Sequence, residues 1–324
     1  MTRKYKKNKK IKKLIAIGDL HGDYYRFIRI LRENNLLKKN SLKWNTKEKN
    51  TDLVLMGDYE DWRGEPLEGS PDTWVLNIRK LLEYIIYLGE ELKFLRKKRK
   101  TFKSRIHLLL GNHDKMMLDS HDIVKGMGKE EFTSLSENLN NDMDMRSYLF
   151  GKNYTGKNLE KFMYFLNWFT QGGKETIRSF GSFDNWFKSL NGNLGKFYGK
   201  NLKLAVKING IFFSHTIPDN KSYWMSVKDI NKELKTMPDQ EKEELIKSYI
   251  WSRKIFGFDI NTGSTAAPFS EEEIDDFLKI AGAKALVVGH TPMFTIRPIR
   301  EYNGKVINLD VHGVPGAGAF VEEY

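Results

Sequence analysis

Five short apolar runs punctuate the chain, and each ends in a glycine or a polar residue of chemical use: LIAIGDLHGD, DLVLMGDYED, RIHLLLGNHD, GIFFSHT and KALVVGHT. Runs of four to six residues rich in Val, Ile and Leu, with no polar alternation, predict strands buried on both faces. Between the first three runs the period becomes helical. Tyr24 to Leu37 carries Phe27, Ile28, Ile30, Leu31 and Leu36, and Thr73 to Leu95 places Val75, Ile78, Leu82, Ile85 and Leu92 on one stripe. Strand and helix therefore alternate up to about Leu110. Asn209-Gly210, between LKLAVKI and IFFSH, and Asn303-Gly304, between MFTIRPI and KVINLD, are hairpin signals that make the second half more antiparallel. The pattern fits an α/β architecture of two mixed sheets packed face to face and flanked by helices.

From about residue 125 to 200 no strand-like run occurs, and an inserted, mainly helical cap near the site is expected there. Fourteen of the 41 aromatic residues lie between Tyr148 and Tyr198. They are expected to form the cap's own core rather than a base-stacking surface. The main domain should span residues 14–324, behind a basic, disordered arm of residues 1–13.

A chain of 324 residues with 40% hydrophobic content can bury a sizeable core. No run reaches the length of a membrane span, and Leu14 to Ile17 is too short for a signal-peptide core, so a cytoplasmic protein without a membrane partner is expected. The absence of cysteine excludes disulfides and thiolate metal sites, which leaves His, Asp, Glu and Asn as ligands. Eight of the twelve net positive charges belong to the arm, MTRKYKKNKKIKK, which is a candidate contact for polyanions. Eight further basic residues cluster between Leu92 and Arg105, where a solvated helix end is the simpler reading.

The candidate chemistry lies just past the strand ends, the edge where layered α/β folds build sites. Asp19 and His21 of GDLHGD stand two apart at a strand-to-loop corner, where alternate residues point the same way. With Asp58 they could hold one divalent cation. Asp58, Asn112, His215 and His290 could hold a second, Asp58 bridging the two. Such a pair clamps the attacking and leaving oxygens of a phosphoryl displacement, with a bridging hydroxide as nucleophile. The leaving oxygen needs a proton, for which His113 is the natural general acid and Asp61 the candidate partner that orients it. His107, inside a strand, reads as structural; His121, after the GNHD loop, could approach the substrate but is expected at the surface; His312 has no assigned role.

In GDLHGD, GDYEDWRG, GNHD, FFSHT and VVGHT the chain resembles the calcineurin-like metallophosphoesterases, and within them the phosphoprotein phosphatase branch, from about Leu14 to the C-terminus. The resemblance implies a four-layered α/β sandwich with a dinuclear centre, usually of manganese, iron or zinc, whose ligands fall on the six residues above. Gly289-His290-Thr291-Pro292 lacks the second histidine of many non-protein members, which favours the phosphoprotein phosphatase and dinucleoside tetraphosphatase side. The tract FLNWFTQGGKETIRSFG is similar to a segment of bacterial phosphatases and tetraphosphatases. SLKWNTKEKNTDLVLMGD, IWSRKIF and KALVVGHTPMFTI are similar to segments of the Shewanella-like phosphatases, and that comparison puts Arg253 on an arginine expected to bind the phosphoryl group. The family pattern has arginine directly after the second aspartate, whereas Trp62 here separates Asp61 from Arg63. A one-residue bulge would let Arg63 reach the phosphoryl oxygens; otherwise Trp62 takes that place and Arg253 does most of the work.

The leading expectation is a metal-dependent phosphomonoesterase acting on a phosphorylated protein or a small phosphoester. Cleavage of dinucleoside polyphosphates or nucleic-acid ends is the alternative. A binding protein that keeps the fold without turnover is a third reading, which the intact set of metal positions and His113 disfavours.

Overall fold

The computed structural model describes residues 12–61, 71–140, 148, 156–259, 264–265, 267–293, 295, 297–311 and 319–323. Most of the basic arm, the Trp62 and Arg63 pair, and His312 lie outside the described residues. In chain order the strands are β1 (Lys13–Ile17), β2 (Thr51–Leu55), β3 (Arg105–Leu109), β4 (Leu202–Lys203), β5 (Ala205–Ile208) and β6 (Ile211–Ser214). There follow β7 (Phe258–Asp259), β8 (Ser264–Thr265), β9 (Ala285–Val288), β10 (Ile299–Glu301), β11 (Val306–Asn308) and β12 (Phe320–Glu323).

The first sheet has the order β12-β1-β2-β3-β4 and the second β10-β11-β9-β6-β5. Strands β1 to β4 are parallel and β12 closes their edge antiparallel. The second sheet is parallel at β11-β9-β6 and antiparallel at both edges. The two Asn-Gly signals are the tight connections of those edges: Asn209 and Gly210 have φ of 52° and 76°, Asn303 and Gly304 of 55° and 84°.

Alternation across each strand sorts the side chains into layers. Leu14, Ala16, Val54, Met56 and Leu109 face Val206, Phe213, Val287 and Ile307 between the sheets. Their neighbours Ile15, Ile17, Leu53, Leu55 and Leu108 turn outward onto the helices α1 (Tyr24–Glu33) and α2 (Pro71–Lys98). Leu286 and Val288 turn outward beneath the helices Asp239–Trp251 and Glu271–Ala281. The result is helix, sheet, sheet, helix, with polar loops left at the strand ends.

Between residues 129 and 201 every described element is a helix, up to the helix Asn193–Asn201, with short turns between them. Phe165, Trp168, Phe183, Trp186 and Tyr198 bury their rings in the same cluster as α1, α2 and the outward face of the first sheet. No helix among the described residues is long and apolar enough to cross a membrane.

Candidate metal centre

The parallel strands β1, β2 and β3 deliver Asp19 with His21, Asp58 with Asp61, and Asn112 with His113; β6 and β9 deliver His215 and His290. Asp58 is the hub. Its Oδ2 lies 3.7 Å from His21 Nε2 and 3.5 Å from His215 Nε2. Its Oδ1 accepts the His113 backbone N–H at 2.9 Å, at the N-terminus of helix α3 (Asn112–Lys125), where the peptide dipoles favour negative charge. Gly111 has to be small, because a Cβ there would fall 2.1 Å from Asp58 Oδ1. Asp114 ties the two loops together: its carboxylate accepts N–H bonds from Asp58, Tyr59 and Gly111.

Two overlapping groups have ligand atoms within 4.8 Å of one another: His21, Asp58 and His113, and Asp58, His215 and His290. Asn112 Oδ1 joins the second at 3.1 Å from His215 Nε2. Asp19 reaches the second group through its Oδ2, which accepts the His290 N–H at 2.9 Å, while its Oδ1 is buried without a hydrogen-bond partner. His113 stands nearer the first group than its expected role alone required, edge-on to His21 with ring centroids 4.9 Å apart.

The three outer imidazoles are each fixed by one nitrogen. His21 Nδ1 meets the carbonyls of Glu60 and Asp61 at 3.0 and 3.1 Å, His215 Nδ1 that of Met56 at 2.8 Å, and His290 Nε2 that of Trp251 at 3.1 Å. For His21 and His215 an N–H donated to a carbonyl selects the tautomer and leaves the other nitrogen with a lone pair for a cation, whereas His290 Nε2 also faces the Arg253 Nε–H at 3.3 Å. His215 Nε2 then faces Asn112 Oδ1 at 3.1 Å, a pair of acceptors that a proton on the ring or a cation between them would satisfy. Oxygen and imidazole donors of this kind accept manganese, iron or zinc. The chain's own electrostatics agree. Burial pushes the Asp19 carboxyl well above the usual range, and Asp310 and Asp58 add to it. Burial also resists ionisation of Asp58, but His215 and His113 outweigh it and hold that carboxyl well below the usual range. Burial would lower His215, yet Asp58 and Asp19 carry it up to about 10. A divalent cation in that position supplies the positive charge that the proton otherwise brings.

Among the described residues eight non-glycine positions have positive φ, and four of them are His21 (41°), Asp58 (49°), Asp61 (64°) and His290 (67°). Each such position costs on the order of 1 kcal/mol and persists where the surroundings over-determine it, commonly at a working site.

His113 Nδ1 lies 3.1 Å from Asp61 Oδ2. Asp61 Oδ1 accepts a hydrogen bond from the Thr176 hydroxyl at 2.7 Å, and that hydroxyl oxygen accepts the Asp61 N–H at 3.1 Å. The QGGKET tract thus brackets Asp61. Gly172 has φ of 112°, and a Cβ there would lie 2.7 Å from the Asp61 carbonyl carbon. Gly172→Ala is expected to destabilise the fold by about 2 kcal/mol, since both the backbone region and the contact are unfavourable to alanine. Thermal melts should show a drop of several degrees, accompanied by a lower kcat as Asp61 shifts.

Six of these groups, Asp19, His21, Asp58, Asn112, His113 and His290, line with Asp61 a cavity of about 280 Å³ that also receives Arg253, Gln171, Trp251, Pro292 and Asp310. Arg253 Nε lies 3.3 Å from His290 Nε2. Gln171, Trp251 and Asp310 were not singled out from the sequence. Asp310 follows β11, whose apolar run VINL carries the same strand-end signal as the motifs that were used. His107 bonds Asp52 at 3.0 Å, a structural pair. His121 is not at the surface: the helix Phe183–Asn191 covers it, with Phe187 and Trp186 at ring distances of 5.2 and 6.0 Å.

A family model described as calcineurin-like phosphoesterase matches residues 12–294. Among solved structures, a cold-active protein tyrosine phosphatase is similar at 18% identity and a TM-score of 0.53, over 97% of this chain and 73% of that one. A structure of the cold-active protein tyrosine phosphatase of a psychrophilic Shewanella species gives 18% and 0.53, over 96% and 75%. A Saccharomyces cerevisiae protein serine/threonine phosphatase gives 15% and 0.48, over 97% and 79%. At these identities the likeness is one of fold. Curated protein sequences give no significant match.

Proposed function

The chain belongs to the calcineurin-like phosphoesterases, and on that footing we propose that it is a phosphomonoesterase that removes phosphate from phosphoserine, phosphothreonine or phosphotyrosine in proteins. The observation that carries this reading is the His113 and Asp61 pair, 3.1 Å apart, beside the two cation groups.

Asp19, His21, Asp58, Asn112, His215 and His290 would hold two divalent cations, with manganese first and iron or zinc next. Bound there, the cations supply charge neutralisation and a water acidic enough to attack phosphorus at neutral pH. The chain's own groups do the rest. Asp61 holds Nδ1–H of His113 and favours the charged ring, so Nε2 is the nitrogen that passes a proton to the leaving oxygen. Arg253 offers a planar fork of donors to the phosphoryl oxygens. Arg253→Ala should therefore raise KM by about tenfold, the worth of one charge-assisted bond, with a smaller change in kcat. Inhibition by inorganic phosphate should weaken in step.

The test is hydrolysis of an aryl phosphate, a panel of phosphopeptides and diadenosine tetraphosphate with manganese bound. Turnover that favours phosphopeptides is the expected outcome. A preference for the dinucleotide by orders of magnitude, or no turnover of any substrate, would overturn the proposal.

A further inference from the structure

A second cavity, of about 500 Å³, lies along the β3 side of the first sheet and shares no lining residue with the candidate metal centre. One wall is a face of α2 carrying Ile86, Lys93 and Arg96. The other is the helix Asn193–Asn201, through Lys196, Phe197 and Lys200. The floor is β3 at Ile106 and Leu108. Strand β4 is only two residues long and pairs with Leu108 and Leu109, so among the described residues no strand lies beside Ile106 on that side. Gly89 lets Phe197 lie close over α2: a Cβ there would fall 2.8 Å from the ring.

Five cationic side chains border this space, Lys93, Arg96, Lys196, Lys200 and Lys203, against the single carboxylate of Glu90. Glu90 is already engaged by Lys93 at 3.0 Å. Arg96 is fixed by a bond from its guanidinium to the Ser104 carbonyl at 2.8 Å, and burial together with nearby Arg105 disfavours its charge. Lys196, Lys200 and Lys203 make no ion pair among the described residues. Spacings of three and four residues keep Lys93 beside Arg96 and Lys196 beside Lys200 on their helices. The basic stretch Leu92 to Arg105, which reads from sequence as a solvated helix end, therefore contributes two of its cations to a concave site completed by lysines a hundred positions away. Like charges gathered without counter-charge repel, and an anion in their midst removes that cost.

We propose that this cavity is a second binding site, for a ligand with several phosphate charges: a polyphosphate chain, free or carried by a nucleotide. Its volume is that of a small-molecule site. Its walls supply separate cations for successive phosphates, and the partly exposed Phe197 ring gives an apolar surface beside them.

Calorimetric titration of the full-length, manganese-loaded protein with adenylyl imidodiphosphate and with inorganic tripolyphosphate, in excess manganese, tests this. Lys196→Ala/Lys200→Ala, at two exposed positions, should weaken one binding event by at least about tenfold, the effect of losing charge-assisted bonds. Turnover of an aryl phosphate and the melting temperature should stay as in the parent. A preference for the nucleotide analogue that Phe197→Ala removes assigns a nucleotide; equal binding of tripolyphosphate assigns the bare chain. Parent-like binding of both probes by the double variant would overturn the proposal. So would binding of poly-glutamate as tightly as of tripolyphosphate.

Discussion

Replacing His113 with asparagine is expected to lower kcat on phosphoserine peptides by about a thousandfold, within the range of general-acid catalysis. A serine alkoxide is a poor leaving group and must receive a proton as the bond to phosphorus breaks. A nitrophenolate leaves without one, so on nitrophenyl phosphate the loss should be only about tenfold. Rates across a series of phosphate esters with rising leaving-group pKa would show the difference as a steeper slope in the variant. Equal losses along the series would remove His113 from the proton-donor role. Asp61→Asn should follow the same pattern at smaller amplitude. The amide still accepts from Thr176 but no longer stabilises a charged ring.

Asp58→Asn is expected to reduce turnover by at least about a thousandfold and to leave fewer than two cations per chain, because the one carboxylate belongs to both cation groups. Elemental analysis of the purified variant, beside its kcat, reads both effects; full metal content with normal turnover would contradict the assignment. The metal-free protein carries a further signature. His215 is raised from 6.5 to about 10 in the fold, so its contribution to stability is complete below about pH 6.5 and fades as the pH rises toward 10. Thermal melts of chelator-treated protein should therefore fall across that window. With cations bound His215 must be neutral, and the slope should flatten. In Asp58→Asn the larger raising interaction is gone, with Asp19 left, and the melts of the metal-free protein should lose most of the same trend.

Much of this centre was legible because its signals are local. A buried strand followed at once by Gly-Asp, Gly-Asn-His or a lone histidine states both where the chain turns and which group stands there, as at Asp58, Asn112 and His290. The hairpins were legible for the same reason, since Asn-Gly accepts positive φ with little cost. The remainder depends on what arrives from elsewhere. Gln171 and Trp251 reach the cavity from helix ends whose position is set by packing, and nothing in their neighbours announces chemistry. Thr176 lay in a tract that resemblance marked, but only the fold reveals its hydroxyl against Asp61. His121 reads as a surface residue until the aromatic helix Phe183–Asn191 is laid over it.

The bond from the His290 N–H to Asp19 spans 271 positions, nearly the length of the chain. The contributors come from both sheets, so a chain released only as far as helix α3 holds Asp19, His21, Asp58 and Asn112 without His215 and His290, and the strand β12 that closes the first sheet arrives last of all. Capture of the second cation would have to wait for β6 and β9 to bring His215 and His290 to Asp58. A chain cut before β9 would therefore keep at most the first cation group, and two cations per chain in a preparation would count the molecules in which both sheets have met.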